Sequence, residues 1–306
     1  MRIVVAGSSG LIGSALVAAL EAAGHGVDRL LRPGSPPGRG IAWDPEADFI
    51  DASALEGADA VVNLAGRSIG ERRWDRDEKA LLASSRIAST RLLAGTLAGM
   101  SGPPRVLVNA SAVGVYGDRA DEILTEESPA GTGFFADLCR EWEAATHPAS
   151  AAGIRVVNLR TGIVLSPEGG ALGRLLAPFG PRWLSPYRWG LGGWIGRGRQ
   201  WWSWISVDDQ VRAVLHLLDS SLAGPVNLTA PNPVTNREFM AAVGRALRRP
   251  VWLPVPPVVL RPLLGAELVR ATLLDSQRVL PARLLDDGFE FRHPVAGPAL
   301  EAALRP

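Results

Sequence analysis

Three glycines near the start of the chain, Gly7, Gly10 and Gly13, follow the apolar run 3–6 and lead into a helix-like segment at Leu11. With a strand before it and a helix after it, this G-x-x-G-x-x-G spacing has a physical reading. Gly7 permits a tight turn, Gly10 lets backbone approach a pyrophosphate, and Gly13 lets the helix pack close to the sheet. The amides at the helix start would then hold the phosphates. The spacing is a variant of the commoner G-x-G-x-x-G. The alternative is an ordinary strand-to-helix turn in another doubly wound fold.

A second group is arginine at the end of the next strand, 26–31. In a dinucleotide fold this strand ends beside the adenosine ribose, where an acid suits a free 2′-hydroxyl and an arginine suits a 2′-phosphate. Arg32 holds that place, with Arg29 and Arg39 nearby and no acid between Asp28 and Asp44. A guanidinium grips phosphate through two bonds and stacks on adenine, which favours NADP(H) over NAD(H). The alternative is a solvated arginine in an arginine-rich chain. A third group is Ser111 and Tyr116. Ser111 is placed to donate a hydrogen bond to a substrate carbonyl or hydroxyl. Tyr116 is read either as an acid/base or as a pocket wall with a polar tip, and it needs a nearby cation to ionise at neutral pH.

The elements that must position these groups alternate. Apolar runs at 3–6, 26–31, 58–66, 105–110, 154–159 and 225–228 read as strands. Helical patterns at 75–100, 134–152 and 208–218 serve as crossovers, and 35–45 reads as a loop. Such alternation predicts an α/β class fold, a Rossmann doubly wound parallel sheet with a smaller C-terminal substrate lobe. The expected division is 1–165 for NADP binding, with 205–230 returning to it, and 166–204 plus 231–306 for the smaller lobe. Leu64, Ala65 and Gly66 follow a strand end, where small residues let a nicotinamide nucleotide lie against backbone. Arg86, partway along the 75–100 helix, is either a solvated side chain or a phosphate contact.

Composition excludes several classes. Lys+Arg number 32 against 31 Asp+Glu, so no global field favours nucleic acid or an anionic membrane. Cys139 is the only cysteine and the four histidines are scattered, so neither a disulfide framework nor a metal site is expected. No apolar stretch approaches the roughly 18–20 residues of a membrane span. A cytoplasmic protein, monomer or homodimer, acting on a small-molecule substrate is the expectation.

Several motifs together carry a family resemblance: the glycine turn, Asn63-Leu64-Ala65-Gly66, the Ser111 to Gly117 strand end, and Thr125-Glu126-Glu127-Ser128-Pro129. The chain resembles the extended short-chain dehydrogenase/reductase superfamily, also called the NAD-dependent epimerase/dehydratase family. Arg72-Arg73-Trp74, Ser85-Arg86, Trp142-Glu143, Leu159-Arg160-Thr161-Gly162, Gly190-Leu191-Gly192-Gly193, Trp204-Ile205 and Asp208-Asp209 are similar to its atypical epimerase-like subfamily. The stretch from Leu280-Pro281 through Gly288-Phe289 resembles that subfamily's C-terminal domain of unknown function. The resemblance implies cofactor contacts at Gly7, Ser9, Gly10, Leu11, Ile12, Gly13, Arg32, Leu64, Ala65, Gly66, Arg86 and Ser111, and at Val164 through its backbone. The wider superfamily carries a Tyr-x-x-x-Lys pair on the helix after Ser111, in which lysine lowers the tyrosine pKa and holds the ribose, whereas the atypical subfamily lacks it. Aligned by Glu143, that helix carries Phe135 and Cys139 at those two places. Phenylalanine has no ionisable group, and Lys79 is the only lysine in the chain.

Other candidates have plainer readings. Cys139 is a small buried filler. Asp118, Glu126 and Glu127 are solvated or capping carboxylates, and Asp208 and Asp209 cap a helix. Six of the 10 tryptophans fall within 183–204, interleaved with Arg188, Arg197 and Arg199 and preceded by Arg182. That stretch reads as a substrate wall or lid, or as an interface patch. Two functions stay open: an NADP(H)-dependent, epimerase-like oxidoreductase acting on an unidentified small polar (sugar-nucleotide or carbonyl) substrate, and a non-catalytic NADP(H)-binding sensor or scaffold.

Overall fold

The structure, a computed structural model, describes residues 1–35, 40–70, 72–166, 168–176, 187, 190 and 192–304. Eight strands form one sheet: β1 (Arg2–Ala6), β2 (Gly26–Leu31), β3 (Ile41–Asp44), β4 (Phe49–Ile50), β5 (Ala60–Asn63), β6 (Val106–Ala112), β7 (Arg155–Thr161) and β8 (Gly224–Leu228). Their order is β8-β7-β6-β5-β1-β2-β3-β4. Every neighbouring pair is parallel except β3 with β4. The chain runs outward from β1 through β2 to β4, then restarts at β5 on the other side. That reversal leaves a crevice between the carboxyl ends of β1 and β5, where open sheets of this kind bind ligands.

The central strands are apolar on both faces because helices cover both. Ile3, Val5, Val62 and Val108 pack with Leu16, Val17 and Leu20 of α1 (Leu11–Ala22) and with Val214 and Leu217 of the helix Val207–Asp219. On the opposite face Val4, Val61 and Leu107 meet Leu93 and Leu97 of α2 (Arg76–Ala98). Asp75 starts α2 by accepting the Glu78 amide at 2.8 Å.

Two sequence expectations need correcting. The stretch 35–45 is not all loop, because Ile41 and Trp43 point inward from β3 at 6% and 2% exposure. A four-residue strand flanked by proline and glycine is too short to show a period. The helix expected over 134–152 divides into α3 (Phe134–Ala144) and a short helix His147–Ala151. Pro148 lacks the amide that would continue the first helix.

A second core gathers Leu165, Trp202, Trp204, Phe239, Met240, Val243 and Leu300. Trp204 packs in this core and its neighbour Ile205 in the first, so the two cores meet at that bond. The tryptophan-rich stretch is therefore largely structural where it is described. Trp202 meets the Phe239 ring edge-on at 5.3 Å, and Trp204 is fully buried. Trp194 and Trp201 are half-buried under the Arg237 and Arg278 guanidinium groups. Trp183, Trp189, Arg182 and Arg188 lie outside the described residues, as does Arg39. Among the described residues no helix is long and apolar enough to cross a membrane.

Candidate functional site

The crevice between β1 and β5 is built by close backbone approach. Gly7 has a φ of 73°, and a Cβ there would sit 2.6 Å from the Leu64 carbonyl. A Cβ on Gly13 would sit 2.1 Å from the Gly7 carbonyl oxygen. Both glycines are thus required by the protein's own packing. Gly10 differs, since its Cβ would meet only the Gly7 oxygen at 3.4 Å. Gly10 also caps α1 without any side-chain bond, and the first turn carries no acid. The Leu11, Ile12 and Gly13 amides precede the first intrahelical bonds, so they point a partial positive charge at the opening. Ser9 is exposed beside them.

Across the crevice, Leu64 donates its amide to Ala6 at 3.0 Å, and Ala65 donates to the Asn63 side chain at 3.2 Å. Asn63 begins a buried row across three strands. It donates to Asn109 at 2.8 Å, which donates to Asn158 at 3.2 Å. Gly66 is exposed, and Arg86 from α2 lies against it. Arg86 is 7% exposed and donates to the Leu82 and Arg67 carbonyls at 3.1 and 2.7 Å. Burial pulls its guanidinium down to about 10, with the Cys139 thiol opposing. At the end of β2, Arg32 is exposed, while Asp28 is engaged by Arg2 at 2.8 Å and Arg29 pairs with Glu21 at 3.5 Å. Val164 is half-buried opposite Ile205 in a two-stranded parallel pair.

One step along β6 the chemistry changes character. Ser111, Arg160 and Asn227 stand in register on β6, β7 and β8. Ser111 is 5% exposed and donates its hydroxyl to Glu143 of α3 at 2.7 Å. Arg160 clamps both Glu143 oxygens at 2.9 Å and donates to the Tyr116 hydroxyl at 3.0 Å. Tyr116 donates in turn to Asn227 at 2.7 Å and is fully buried. Burial raises the tyrosine pKa, with Arg160 opposing. The Tyr116 hydroxyl is thus spent inside the protein, and the Ser111 proton points at Glu143 rather than outward.

Phe135 packs over Gly114, whose Cβ would lie 2.3 Å from the ring. Cys139 is fully buried, its thiol pushed up to about 12 by burial and by Glu143. Phe135, but not Cys139, lines a small cleft together with Trp74, Gly114, Thr132, Arg270, Asp275 and Gln277. Asp275 is pushed up to about 6, first by burial and then by Asp118, with Arg270 opposing.

Residues 3–228 match the NAD dependent epimerase/dehydratase family. The chain belongs to that family. Residues 255–303 match a domain of unknown function, DUF1731. Epimerase family protein Mb2239 of Mycobacterium bovis is 47% identical over 97% of this chain and 96% of its own. Human epimerase family protein SDR39U1 (isoform 2), solved with NADPH, superposes with a TM-score of 0.88 at 34% identity, covering 99% of both chains. UDP-glucose 4-epimerase of Thermus thermophilus, solved with NAD, reaches a TM-score of 0.76 at 22% identity over 99% and 98%, a likeness of fold alone.

Within this epimerase-family fold the expected residues divide. Gly7 to Gly13, Leu64 to Gly66 and Arg86 converge on one crevice, Arg32 stands exposed at the end of β2, and Ser111 and Tyr116 belong to the internal network beyond the crevice. Sequence reasoning missed Glu143 as the partner of Ser111, Arg160 as the partner of Glu143, and Asp275 altogether. It also misplaced Glu126, which is 7% exposed and accepts the Asn227 amide at 2.9 Å. The helix at 207 is capped by Ser206, not by its acids. Asp209 instead accepts the Arg292 and His293 amides, both at 2.8 Å. Among the described residues no His, Cys, Asp and Glu gather as a metal set.

Proposed function

We propose that the protein is an NADP(H)-dependent oxidoreductase that moves hydride between the nicotinamide and a small polar substrate. Gly10 carries the reading. Nothing inside the protein requires a glycine there, whereas a pyrophosphate lying on the Leu11 to Gly13 amides does. Arg32 supports the 2′-phosphate form, and the NADPH in the human relative agrees with it. The cofactor supplies the hydride, and this chain's residues bind, orient and exchange the proton.

Ser111 keeps its proton on Glu143, so its hydroxyl oxygen is left as an acceptor and would take a bond from a substrate hydroxyl. Tyr116 is assigned as an internal post for Arg160. Asp275 is the cleft side chain whose charge changes near neutral pH, and we assign it the proton exchange. The second reading, a sensor that binds NADP(H) without turnover, draws support from Phe135 and Cys139 standing where the family carries tyrosine and lysine.

A screen of NADPH oxidation against hydroxycarbonyl compounds, and of NADP⁺ reduction against the matching alcohols, tests both readings. An enzyme turns over at least one compound, Ser111→Ala slows it, and Tyr116→Phe leaves it within a few-fold. Tight NADPH binding without turnover on any compound favours the sensor. Arg32→Ala should cost NADPH, but not NADH, about 1.5–3 kcal/mol of binding. Equal losses for both would overturn the assignment of Arg32.

A further inference from the structure

The helix Pro257–Leu264 breaks the rule that a helix apolar on every side is buried. Its sequence, PVVLRPLL, holds one polar residue, Arg261, yet none of its eight residues is buried. Leu260 and Leu264 turn inward onto the protein, while Val258, Val259 and Leu263 share the outward arc, Val258 at 65% exposure. Trp252 and Leu253, just before the helix, are exposed as well, Trp252 at 62%. Five of the ten large apolar side chains exposed among the described residues therefore fall within 252–263. A patch of that kind marks a surface that something else covers.

Charge says what covers it. Between Phe239 and Ala266 the chain carries four arginines and no acid, although the two signs nearly balance over the whole protein. Arg245, Arg248 and Arg249 line a shallow cleft with Val251, and Arg261 flanks the apolar arc. No carboxylate among the described residues pairs with Arg248, Arg249 or Arg261. The connector that joins the arginines to the helix is pinned. Val251 and Val255 bridge Gly192 and Ile195, and the Val255 amide donates to the Trp194 carbonyl at 2.7 Å. A second copy on this face would set arginine against arginine across a two-fold interface. An anionic bilayer instead offers phosphates to the guanidinium groups and hydrocarbon to the side chains that stand out from the helix.

We propose that this face of the smaller lobe docks on an anionic lipid surface. Trp252, Val258, Val259 and Leu263 enter the boundary between headgroups and acyl chains, and Arg248, Arg249 and Arg261 take lipid phosphates. Binding of this kind is peripheral and reversible, so it needs no membrane-spanning helix, and none is present among the described residues. It stands apart from the NADP(H) reading and survives or fails without it.

Flotation of the full chain with lipid vesicles tests it. Vesicles of phosphatidylcholine with about one-third phosphatidylglycerol should carry the protein upward, and vesicles of phosphatidylcholine alone should not. Arg248→Gln combined with Arg249→Gln should weaken binding by about 10–30-fold, roughly fivefold for each charge lost. Brominated acyl chains quench tryptophan that they touch, so they should dim the wild type more than Trp252→Phe. All these side chains are exposed, so the variants should melt with the wild type. Equal binding to both kinds of vesicle, unchanged binding in the arginine pair, or equal quenching in Trp252→Phe overturns the inference. A dimer in lipid-free solution that Leu263→Ser dissolves overturns it too, because a second copy then covers the face.

Discussion

The crevice and the network beside it use their polar groups in opposite ways. Around Gly10 and Arg86 they are left open: first-turn amides without a cap, an exposed Arg32, a guanidinium Nε without a partner. Around Ser111 they are consumed by one another. The hydroxyl goes to Glu143, both carboxylate oxygens go to Arg160, and Tyr116 bridges Arg160 to Asn227. Unspent donors mark where a ligand is awaited, because the fold otherwise bears their desolvation for nothing. A closed network marks what holds the strands in place. By that criterion we assign the β1–β5 side as the binding surface and the Ser111 row as scaffold.

The largest test of this contrast is Arg160→Met. It strands the Glu143 carboxylate, which is only 15% exposed, and it unties Tyr116. Breaking such a buried pair should cost about 3–5 kcal/mol in urea unfolding. NADPH affinity of the folded fraction should stay within about twofold. A variant of wild-type stability that fails to bind NADPH would reverse the roles given to the two regions.

A smaller effect separates two glycines three residues apart. Gly13→Ala drives a methyl into the Gly7 carbonyl and should destabilise the protein by about 1–3 kcal/mol, as overpacking does. Gly10→Ala meets only one atom at 3.4 Å, so its stability should change by less than about 0.5 kcal/mol. Yet the added methyl occupies the pyrophosphate's approach, and NADPH binding should fall measurably. Equal stability loss in both variants would mean that Gly10 serves the fold and not a ligand.

The same contrast explains what could be read from the sequence. The glycine turn is local: strand, turn and helix are contiguous, and each glycine's reason lies within a few residues or one strand away. The expectation of a dinucleotide rests on that turn, the preference for NADP(H) on Arg32, and the parallel sheet on the alternation of strands and helices. The closed network is not local. Ser111 and Glu143 are 32 residues apart, and Glu126 meets the Asn227 amide across 101. Nothing in the spacing of Glu126 distinguishes it from its exposed neighbour Glu127. β3 was hidden for another reason, since Ile41 and Trp43 alternate for only one period between proline-containing turns. Tyr116 looked chemically able, and only its burial shows that its hydroxyl faces inward.

Asp275 gives the smallest effect and the finest test, because it lies on the cleft and belongs to neither region. Its folded pKa, about 6, is above the ordinary 3.8, so the folded state prefers the protonated acid. The stabilising contribution is complete below pH 3.8 and is lost as the pH rises through 6. Above that the ionised carboxylate faces Asp118, with Arg270 offsetting part of the repulsion. Asp275→Asn should therefore melt higher than wild type at about pH 7.5, and the gap should close as the pH falls toward about 4. Half-exposure and solvent screening keep the difference below about 1 kcal/mol. If wild type is instead the more stable at that higher pH, Arg270 outweighs burial and Asp118 together. Asp275 would then be a spent group like Glu143, and the proton exchange assigned to it would have to lie elsewhere.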